Sequence, residues 1–451
     1  MDLKDKKVLV FGSGKSGIGA ADLLGAEGAR PVIYDGNEKT DREQVLGKTA
    51  GTYPVDFYAG ELPEEVLESL DLVVLSPGVP TDIPLVKRFY EIGLPVWGEV
   101  ELAYRTGKGR VLAITGTNGK TTTTALLGKI MKDACPSVFV VGNIGTPYTS
   151  KAQEMQENSV TVVEISSFQL ETIEEFAPEV SAILNITEDH LNRHHTMEEY
   201  IRVKELITKN QSSEDVCVLN YEDEVLRKFG ETAVPKVVYF SSARTLEKGI
   251  YLEGDTIMLT TETAKIPVVK TGELKLLGQH NYENVMAAVA MAYYAGVDME
   301  SIRKSVCEFT AVEHRIEYVT EKNGVVYYND SKGTNPDAAI KGIQAMNRPT
   351  YLIGGGYDKE SSYDEWIQAF DGKVRCLVLI GQTKEKIKAA AERLGFTDIV
   401  LLENLQEAVH YCAEHAKEGE AVLLSPACAS WGQFDNYEQR GDMFKKYVSE
   451  L

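Results

Sequence analysis

The chain has 451 residues, which is too long for one ordinary hydrophobic core and predicts two or three domains. With 43% hydrophobic residues it is expected to be globular, and its formal net charge of −21 argues against a nucleic-acid or anionic-membrane partner. The N-terminus has no signal-peptide pattern, no apolar run reaches about 18 residues, and the six cysteines form no C-x-x-C pair. We therefore expect a soluble multidomain protein of a reducing compartment.

The first part of the chain alternates short apolar runs with helical patterns, which predicts an α/β doubly wound sheet. Strands are predicted at 8–11, 31–34, 72–75 and about 94–97. After the first strand, Gly12, Gly14 and Gly17 match G-x-G-x-x-G, and Asp35 ends the second strand. This spacing is typical of a site for a diphosphate and a ribose, so a nicotinamide-dependent dehydrogenase is one hypothesis.

A second glycine-rich turn follows in "RVLAITGTNGKTTTTALLGKIM", which has the pattern strand, loop, helix. Such a turn presents backbone N–H groups and a helix N-terminus to phosphate. Lys120 adds a cation, and Thr121 adds a hydroxyl suited to Mg²⁺. Ile114 occupies the position of the first glycine of the usual P-loop, so only G-x-x-G-K-T remains. The alternatives are a nucleotide site, which the flanking strand and helix favour, and a turn with a surface lysine.

Two possible metal ligands follow later strands of this second series. Glu164 ends the run "VTVVE", and His190 follows "AILNIT". Each residue alone is more often solvated or structural, but ligands of open α/β sheets lie beyond the carboxyl ends of the strands. The pair, in the domain that carries a phosphate loop, predicts Mg²⁺ coordination.

Lys204 lies at an unusual place in the helical pattern "HTMEEYIRVKELITK". Thr196 and Glu199 form a capping box, and Lys204 falls in the middle of the apolar face that follows. One interpretation is a lysine that extends to solvent. The other is an inward amine, which must be paired, deprotonated or modified, for example as a carbamate that could bind a metal.

The remaining chain predicts a small antiparallel β insert around 238–271, a long helix at about 281–295, and a third α/β series from "EHRIEYV" onward. We expect three domains, comprising residues 1–97, 98–311 and 312–451.

Six motifs in order resemble those of the Mur ligase family, the ATP-dependent amide ligases of peptidoglycan synthesis. They are "GTNGKTT" (116–122), "EISSFQL" (164–170), "NITEDHLNRH" (185–194), "GQHNYENVMAA" (278–288), "EHR" (313–315) and "NDSKGTN" (329–335). The final "LLSPACASWGQFDNYEQRG" (423–441) and the opening G-x-G-x-x-G resemble the D-glutamate-adding branch. The resemblance implies a Rossmann-like UDP-sugar domain, a central P-loop-type ATPase domain and a Rossmann-like amino-acid-binding domain.

The resemblance also implies a reaction and its site residues. The protein would use ATP and Mg²⁺ to add D-glutamate to UDP-N-acetylmuramoyl-L-alanine, through an acyl phosphate and a tetrahedral intermediate. Catalytic roles would fall to Lys120, His190, Lys204, Arg315 and Lys332. ATP would contact Gly116, Thr117, Asn118, Gly119, Lys120, Thr121, Thr122, Asn281, Asn284, Arg315 and Asp330. Metal ligands would be Thr121, Glu164, His190 and a carbamylated Lys204. The UDP-sugar would contact Gly14, Lys15, Ser16, Asp35, Ser76, Pro77, Gly78 and Asn143, and D-glutamate would contact Thr334, Lys359, Ser430 and Tyr437.

Three positions depart from the family pattern: Gly333 stands where alanine is commoner, Tyr437 replaces phenylalanine, and "GGGYDK", which contains Lys359, differs from the usual glycine-aspartate-glycine-lysine run. The resemblance further implies a bacterial cytoplasmic protein, and we expect a monomer whose partners are small molecules. Alternatives are the dehydrogenase, a nucleotide-sugar sensor without catalysis, and a sister ligase for another amino acid.

Overall fold

The computed structural model describes residues 2–310 and 313–451, which form three α/β sheets in two compact units. The first unit spans Met1–Val268 and Glu283–Val306, and the second spans Val269–Tyr282 and Cys307–Leu451. The predicted fold class is confirmed. The domain boundary at 97/98 stays a prediction, and the one at 311/312 lies outside the described residues.

The first sheet has five parallel strands in the order β3-β2-β1-β4-β5. Its strands are β1 (Lys7–Phe11), β2 (Arg30–Asp35), β3 (Asp56–Ala59), β4 (Leu72–Leu75) and β5 (Val96–Gly98). Four of them match predicted strands. β3 was not predicted, because its short sequence DFYA has one buried position only. The strand order reverses between β1 and β4, where sheets of this type open a crevice for ligands.

The second sheet has nine strands in the order β14-β13-β12-β11-β10-β9-β6-β8-β7. Their bounds are β6 (Arg110–Thr115), β7 (Val138–Gly142), β8 (Val160–Glu164), β9 (Val180–Ile183), β10 (Val216–Asn220), β11 (Lys236–Ser241), β12 (Gly249–Glu253), β13 (Thr256–Thr260) and β14 (Lys265–Lys270). The central strands are parallel and fully buried, whereas β12 and β13 pair antiparallel. The expected antiparallel insert therefore continues one edge of the central sheet.

Helices connect and cover these two sheets. They are α1 (Lys15–Ala26), α2 (Arg42–Leu46), α3 (Glu64–Leu67), α4 (Pro84–Glu91), α5 (Glu99–Thr106), α6 (Lys120–Ala134), α7 (Ser167–Leu170), α8 (Leu191–His194), α9 (Met197–Glu205), α10 (Glu224–Gly230), α11 (Gln279–Tyr294) and α12 (Met299–Glu308). Short 3₁₀ turns lie at Tyr148–Ser150, Ala152–Glu154, Leu206–Thr208 and Thr271–Glu273. One apolar cluster runs from Val10 in β1 through Trp97 to Leu219 in β10. Burial of this shared cluster joins the two sheets of the first unit.

The third sheet belongs to the second unit and has the order β15-β16-β20-β17-β18-β19. Its strands are β15 (Glu317–Lys322), β16 (Val325–Asn329), β17 (Thr350–Gly354), β18 (Val374–Leu379), β19 (Ile399–Leu401) and β20 (Ala421–Leu424). Only β15 is antiparallel to its neighbour, and apolar clusters cover both faces of the sheet.

The helices of the second unit are α13 (Pro336–Ala345), α14 (Asp364–Gln368), α15 (Lys384–Arg393), α16 (Leu405–His415) and α17 (Tyr437–Ser449). Three of them begin after an asparagine, Asn335, Asn404 or Asn436, whose side chain accepts a hydrogen bond from a first-turn N–H. Among the described residues, no helix combines the length and the apolar character needed to span a bilayer.

Candidate active site

A cavity of about 530 Å³ opens at the carboxyl ends of β1 and β4, within the first unit. Its lining includes all eight residues expected to contact a UDP-sugar, which are Gly14, Lys15, Ser16, Asp35, Ser76, Pro77, Gly78 and Asn143. The central domain contributes Asn143 and also Gln169, which was not predicted. The structure therefore brings this predicted set together at the switch point of the first sheet.

Glycine is required for a different physical reason at each position of the opening motif. A Cβ at Gly17 would lie 1.8 Å from the carbonyl oxygen of Gly12, so the helix can pack against the turn only without a side chain. Gly12 has φ of +112°, and a Cβ there would lie 2.6 Å from Oγ of Ser76. Nothing lies within 4 Å of a Cβ at Gly14, so that position faces open space. Gly17 and Gly12 serve the fold, and Gly14 leaves room for a ligand.

Asp35 lies at the rim of this cavity with its carboxylate already oriented. Its Oδ1 accepts a hydrogen bond from the N–H of Asn37 at 3.0 Å, and its Oδ2 accepts one from the Ser13 hydroxyl. Partial burial raises the pKa of Asp35, but the hydrogen bonds from Ser13, Asn37 and Thr40 outweigh that effect and lower it. The group is therefore an ionised acceptor at neutral pH, as a ribose hydroxyl requires.

The phosphate-type loop lies between β6 and α6. Gly116 has φ of +148° and Gly119, the N-cap of α6, has φ of +86°. A Cβ at Gly119 would lie 2.3 Å from Oδ1 of Asn284. The segment after β9 holds the loop: the N–H of Asn118 donates to Oδ1 of Asn185 at 2.8 Å, and the N–H of Thr117 donates to the carbonyl of Asn185 at 2.9 Å. The result is a backbone cradle whose conformation needs glycine.

Two lysine ammonium groups meet at the carbonyl oxygen of Gly116. Lys120 Nζ donates to it at 2.9 Å, and Lys204 Nζ, from α9, also donates to it at 2.9 Å. Lys204 is 2% exposed and lies 4.7 Å from the ring centre of Tyr200. Burial, with repulsion from Lys120, lowers the pKa of Lys204 from 10.5 to about 7, although Asp189 opposes the shift. The inward orientation of Lys204 is therefore observed, and the amine is partly neutral at physiological pH.

Glu164 ends β8 beside this loop. It is 1% exposed, its Oε1 accepts a hydrogen bond from Asn143 Nδ2 at 2.8 Å, and its Oε2 is buried without a partner among the described residues. An unpartnered buried carboxylate oxygen is costly unless something binds it. Mg²⁺ prefers oxygen ligands, so this oxygen fits a metal. Thr121, on the first turn of α6, is half-buried, whereas Thr122 is buried.

His190, which follows β9 and precedes α8, is exposed. It has φ of +54°, its ring packs 4.9 Å from that of Phe168, and its Nε2 lies 3.5 Å from Oδ2 of Asp189. In the described part of the chain it forms no hydrogen bond or ion pair with Glu164 or Lys204. The neighbouring His194 is buried, and a hydrogen bond of 2.9 Å joins its Nε2 to Ser167 Oγ. Burial is the main cause that lowers the pKa of His194.

The two asparagines expected near adenine lie on α11. Asn284 Oδ1 accepts a hydrogen bond from Oγ1 of Thr123 at 3.3 Å, within the first unit. Asn281 donates to the carbonyl of Leu277 at 2.8 Å, within the second unit. Both are buried polar residues, so their side chains have defined orientations.

In the second unit, the motif after β16 surrounds a buried acid. Asp330 is 4% exposed, and its Oδ2 accepts a hydrogen bond from Ser425 Oγ at 2.7 Å. Burial raises its pKa to about 7, against the effect of the Ser425 hydrogen bond and of Arg315. A Cβ at Gly333 would lie 2.8 Å from the same Oδ2. Glycine at this position therefore accommodates the Asp330 carboxyl group.

Arg440 is a residue of this region that the sequence reasoning missed. It is 1% exposed, and it donates to Ser331 Oγ at 2.9 Å, to the Ser331 carbonyl at 2.8 Å and to the Cys428 carbonyl at 3.1 Å. Burial lowers its pKa to about 10. The guanidinium thus joins the loop that carries Lys332 to the loop that carries Ser430. Arg440 lies in the motif "LLSPACASWGQFDNYEQRG" (423–441), but the sequence pattern does not indicate that its side chain is buried.

The residues expected around D-glutamate lie near these two loops. Lys332 Nζ lies 5.6 Å from the ring centre of Tyr437, whose carbonyl accepts a hydrogen bond from Ser331 Oγ. Ser430 is buried, and Thr334 donates its N–H to the Lys332 carbonyl at 2.8 Å. Lys359 and Arg315 are exposed. Lys359 Nζ lies 5.2 Å from the ring centre of Trp431.

A cluster of metal-type side chains elsewhere in the second unit surrounds an ammonium group. Glu313, His314 and Asp442 bring ligand atoms within 4.8 Å of one another. Lys445 Nζ lies 3.2 Å from Asp442 Oδ1, 3.5 Å from Glu317 Oε1, and in direct contact with Glu313. An ammonium group at the centre of these acids explains their proximity without a metal.

The chain belongs to the Mur ligase family. Family models match it along its length: the MurD-like N-terminal domain at residues 6–98, the Mur ligase middle domain at 114–292 and the glutamate ligase domain at 314–428. It is 57% identical over 451 residues to the UDP-N-acetylmuramoylalanine–D-glutamate ligase of Lachnoclostridium phytofermentans, covering 100% of this chain and 99% of the relative. The enzyme of that name from Lachnospira eligens is 55% identical, with 100% of each chain covered.

Solved structures support the same fold. The UDP-N-acetylmuramate-alanine ligase MurC of Thermotoga maritima superposes with a TM-score of 0.58 at 21% identity, covering 99% of this chain and 100% of that one. MurF of Acinetobacter baumannii gives a TM-score of 0.61 at 17% identity, covering 98% and 93%. At these identities the likeness concerns the fold alone.

Proposed function

We propose that this protein is an ATP-dependent amide ligase that joins D-glutamate to UDP-N-acetylmuramoyl-L-alanine in peptidoglycan precursor synthesis. The observation that carries the proposal is the 57% identity, over the whole chain, to a relative named for that reaction. The cavity of the first sheet and the glycine cradle with its two lysines support it, because the reaction needs a nucleotide-sugar site and a phosphate site.

The nucleotide-sugar would bind in the 530 Å³ cavity. Asp35 would accept hydrogen bonds from the uridine end, Lys15 and Ser16 would contact the diphosphate at the start of α1, and the loop Ser76–Gly78 would form the opposite wall. Asn143 would contact the muramoyl part. Its hydrogen bond to Glu164 supports this role, because it connects the substrate cavity to the proposed metal site.

ATP would place its phosphates on the cradle formed by Gly116–Thr122, with Lys120 as the mobile cation. Thr121, Glu164, His190 and Lys204 would hold Mg²⁺, with Lys204 as a carbamate. Carbamate formation needs a neutral amine that attacks CO₂ and loses a proton, and the pKa of about 7 supports a substantial neutral fraction. Bound Mg²⁺ would neutralise negative charge on the nucleotide phosphates.

The reaction must bring together two anions, the substrate carboxylate and the γ-phosphate of ATP. The carboxylate oxygen would attack the γ-phosphorus while the bond to ADP breaks, giving an acyl phosphate. The amine of D-glutamate would attack the acyl carbon, and the tetrahedral intermediate would expel phosphate as the nitrogen loses a proton. Lys120, Lys332 and Arg315 would stabilise the developing negative charge. The group that accepts the amine proton is not assigned.

The remaining proposed contacts are with the nucleoside of ATP and with D-glutamate. The nucleoside of ATP would contact Asn281, Asn284 and Asp330. Asp330 would contact the ribose from a buried position. D-Glutamate would be held by Thr334, Lys359, Ser430 and Tyr437. The hydrogen bonds of Arg440 support this arrangement, because they join the loop that carries Thr334 to the loop that carries Ser430. We further propose that the protein acts as a monomer in the bacterial cytoplasm.

The decisive experiment is ADP release with a panel of amino acids, in the presence of ATP, Mg²⁺ and UDP-N-acetylmuramoyl-L-alanine. D-Glutamate alone should support turnover and appear in the product by mass spectrometry. Incorporation of another amino acid would identify a sister ligase, and binding without ADP release would identify a sensor. Binding of NADH, followed by its fluorescence, would favour the dehydrogenase.

A further inference from the structure

A buried acid adjoins the nucleotide-sugar cavity but has no part in the chemistry proposed above. Glu99, the first residue of α5, is 2% exposed. Its Oε1 accepts a hydrogen bond from Gln169 Nε2 at 2.7 Å, and its Oε2 is buried without a partner among the described residues. Burial raises the pKa of Glu99 to about 7, although hydrogen bonding from Gln169 and the Thr149 backbone lowers it in part.

The side-chain amide of Gln169 has a single orientation in this arrangement. Its Oε1 accepts hydrogen bonds from the N–H of Ser166 at 2.9 Å and from the Ser166 hydroxyl at 3.1 Å, as part of a capping box on α7. Its Nε2 therefore points to Glu99. An amide nitrogen carries two N–H donors, and Glu99 takes one of them. Gln169 also lines the 530 Å³ cavity.

A second, very small cavity of about 10 Å³ adjoins this contact. Glu99, Gln169, Ser76, Thr81 and Arg193 are among its lining residues. A polar cavity of this size has room for one water molecule. Such a water would give the unpartnered Oε2 of Glu99 its missing hydrogen bond.

A purely structural acid in the same helix looks different. Glu101 accepts hydrogen bonds from the N–H groups of Glu174, Glu175 and Phe176 at 2.8 to 3.1 Å, and from Arg105 Nε at 2.7 Å. Both of its oxygens are satisfied by the protein. Glu99 instead accepts its side-chain hydrogen bond from Gln169, which lines the substrate cavity, and its Oε2 has no partner among the described residues. An unpartnered buried oxygen is costly, so an apolar side chain would fill this place at lower cost.

We propose that Glu99 is a positioning residue that holds the Gln169 amide, by direct hydrogen bond and through one buried water, against the nucleotide-sugar. The inference rests on the proposed function. Gln169 and Asn143 come from the central domain, whereas Asp35 lies at the end of β2 in the first sheet. With uridine at Asp35, Gln169 serves the muramoyl-alanine part of the substrate. Glu99 then affects the complete nucleotide-sugar but not UDP.

The test is a double-mutant cycle with Glu99→Leu, Gln169→Leu and the double variant, and with Glu99→Gln as the conservative control. Isothermal calorimetry measures the dissociation constants of UDP-N-acetylmuramoyl-L-alanine and of UDP alone. Glu99→Leu should weaken binding of the complete substrate about tenfold, as expected for loss of a buried hydrogen bond, and leave UDP binding within about twofold. Glu99→Gln keeps an acceptor for Gln169 and should restore most of the affinity.

The double variant should bind no more weakly than Gln169→Leu, because Glu99 acts through Gln169. Additive losses, an equal loss for UDP, or unchanged binding by Glu99→Leu would overturn the role of Glu99. If Glu99→Leu does not fold by circular dichroism, Glu99→Ala, which leaves room for water, replaces it in the cycle. If the unmodified protein does not bind the substrate, the proposed function is overturned as well. If the unmodified protein ligates D-glutamate normally but the double-mutant cycle gives one of these contrary results, this inference alone is overturned.

Discussion

Replacing Lys204 by methionine should stabilise the protein at neutral pH while abolishing ligation. Methionine has a similar length and carries no charge, so it removes the buried ammonium and little volume. Lowering the pKa of Lys204 from 10.5 to about 7 corresponds to roughly 5 kcal/mol of unfavourable free energy for the charged form, at about 1.4 kcal/mol per pKa unit. The hydrogen bond to Gly116 and the contact with Tyr200 offset part of this, each by about 1 kcal/mol. The net expected gain is about 3 kcal/mol.

The sign of the pH dependence follows from proton binding. Between pH 7 and 10.5 the unfolded chain holds a proton on Lys204 that the folded protein has released, so the stability of the unmodified protein rises with pH across this window. The methionine variant lacks this dependence. Its advantage is therefore greatest at pH 7 and below, and disappears as the pH approaches 10.5.

The assay is urea unfolding followed by circular dichroism at several pH values, in carbonate-free buffer so that the unmodified amine is compared. Lys228→Met is the matched control, because Lys228 is 73% exposed and its ammonium group pairs with Glu224 on its own helix. That control should change stability by less than about 0.5 kcal/mol at any pH. A Lys204→Met variant that is less stable than the unmodified protein, or whose advantage does not change with pH, would refute the reasoning.

Four further outcomes are expected. Lys120→Ala should keep the fold and lose about 100-fold or more in kcat for ADP release, since one charge-stabilising contact typically contributes about 2–4 kcal/mol; near-normal turnover would contradict its role at the phosphates. Gly17→Ala should lower the melting temperature sharply, because a Cβ at Gly17 would clash with the Gly12 carbonyl. Gly14→Val should leave the melting temperature unchanged, because a Cβ at Gly14 meets nothing, and calorimetry should show weaker binding of the nucleotide-sugar. Arg440→Met should destabilise the second unit by about 2–4 kcal/mol in urea, because three oxygen acceptors lose their donor. The unmodified protein should lose stability as the pH rises from 3.8 to about 7, because the folded protein holds the proton of the Asp330 carboxyl group more tightly than the unfolded chain does. In Asp330→Asn this pH-dependent loss of stability should be absent.

Much of the fold could be predicted from the pattern of apolar residues and glycines along the chain. Strands such as β1 and β4 are short apolar runs with glycine-bearing loops after them, and both loops lie where a parallel sheet presents its ligands. The place of Lys204 on an apolar helix face also follows from periodicity alone, and the structure buries that residue. The strand β3 escaped prediction because it is short and half exposed, so neighbouring strands rather than its own composition define it.

The contacts between residues far apart in the sequence follow from the packing of the whole chain. Lys204 is 88 residues from the Gly116 carbonyl to which it donates, and Gln169 is 70 residues from Glu99. Asp330 occurs in a motif whose pattern suggests ligand contact, yet its burial and its hydrogen bond to Ser425 depend on how β16 and β20 pair. The class of fold, the loops and the residue types that the chemistry needs could therefore be predicted from the sequence, because they depend on neighbours along the chain. Burial, pKa and the partners of each polar group depend on packing between distant segments, and the fold alone decided them.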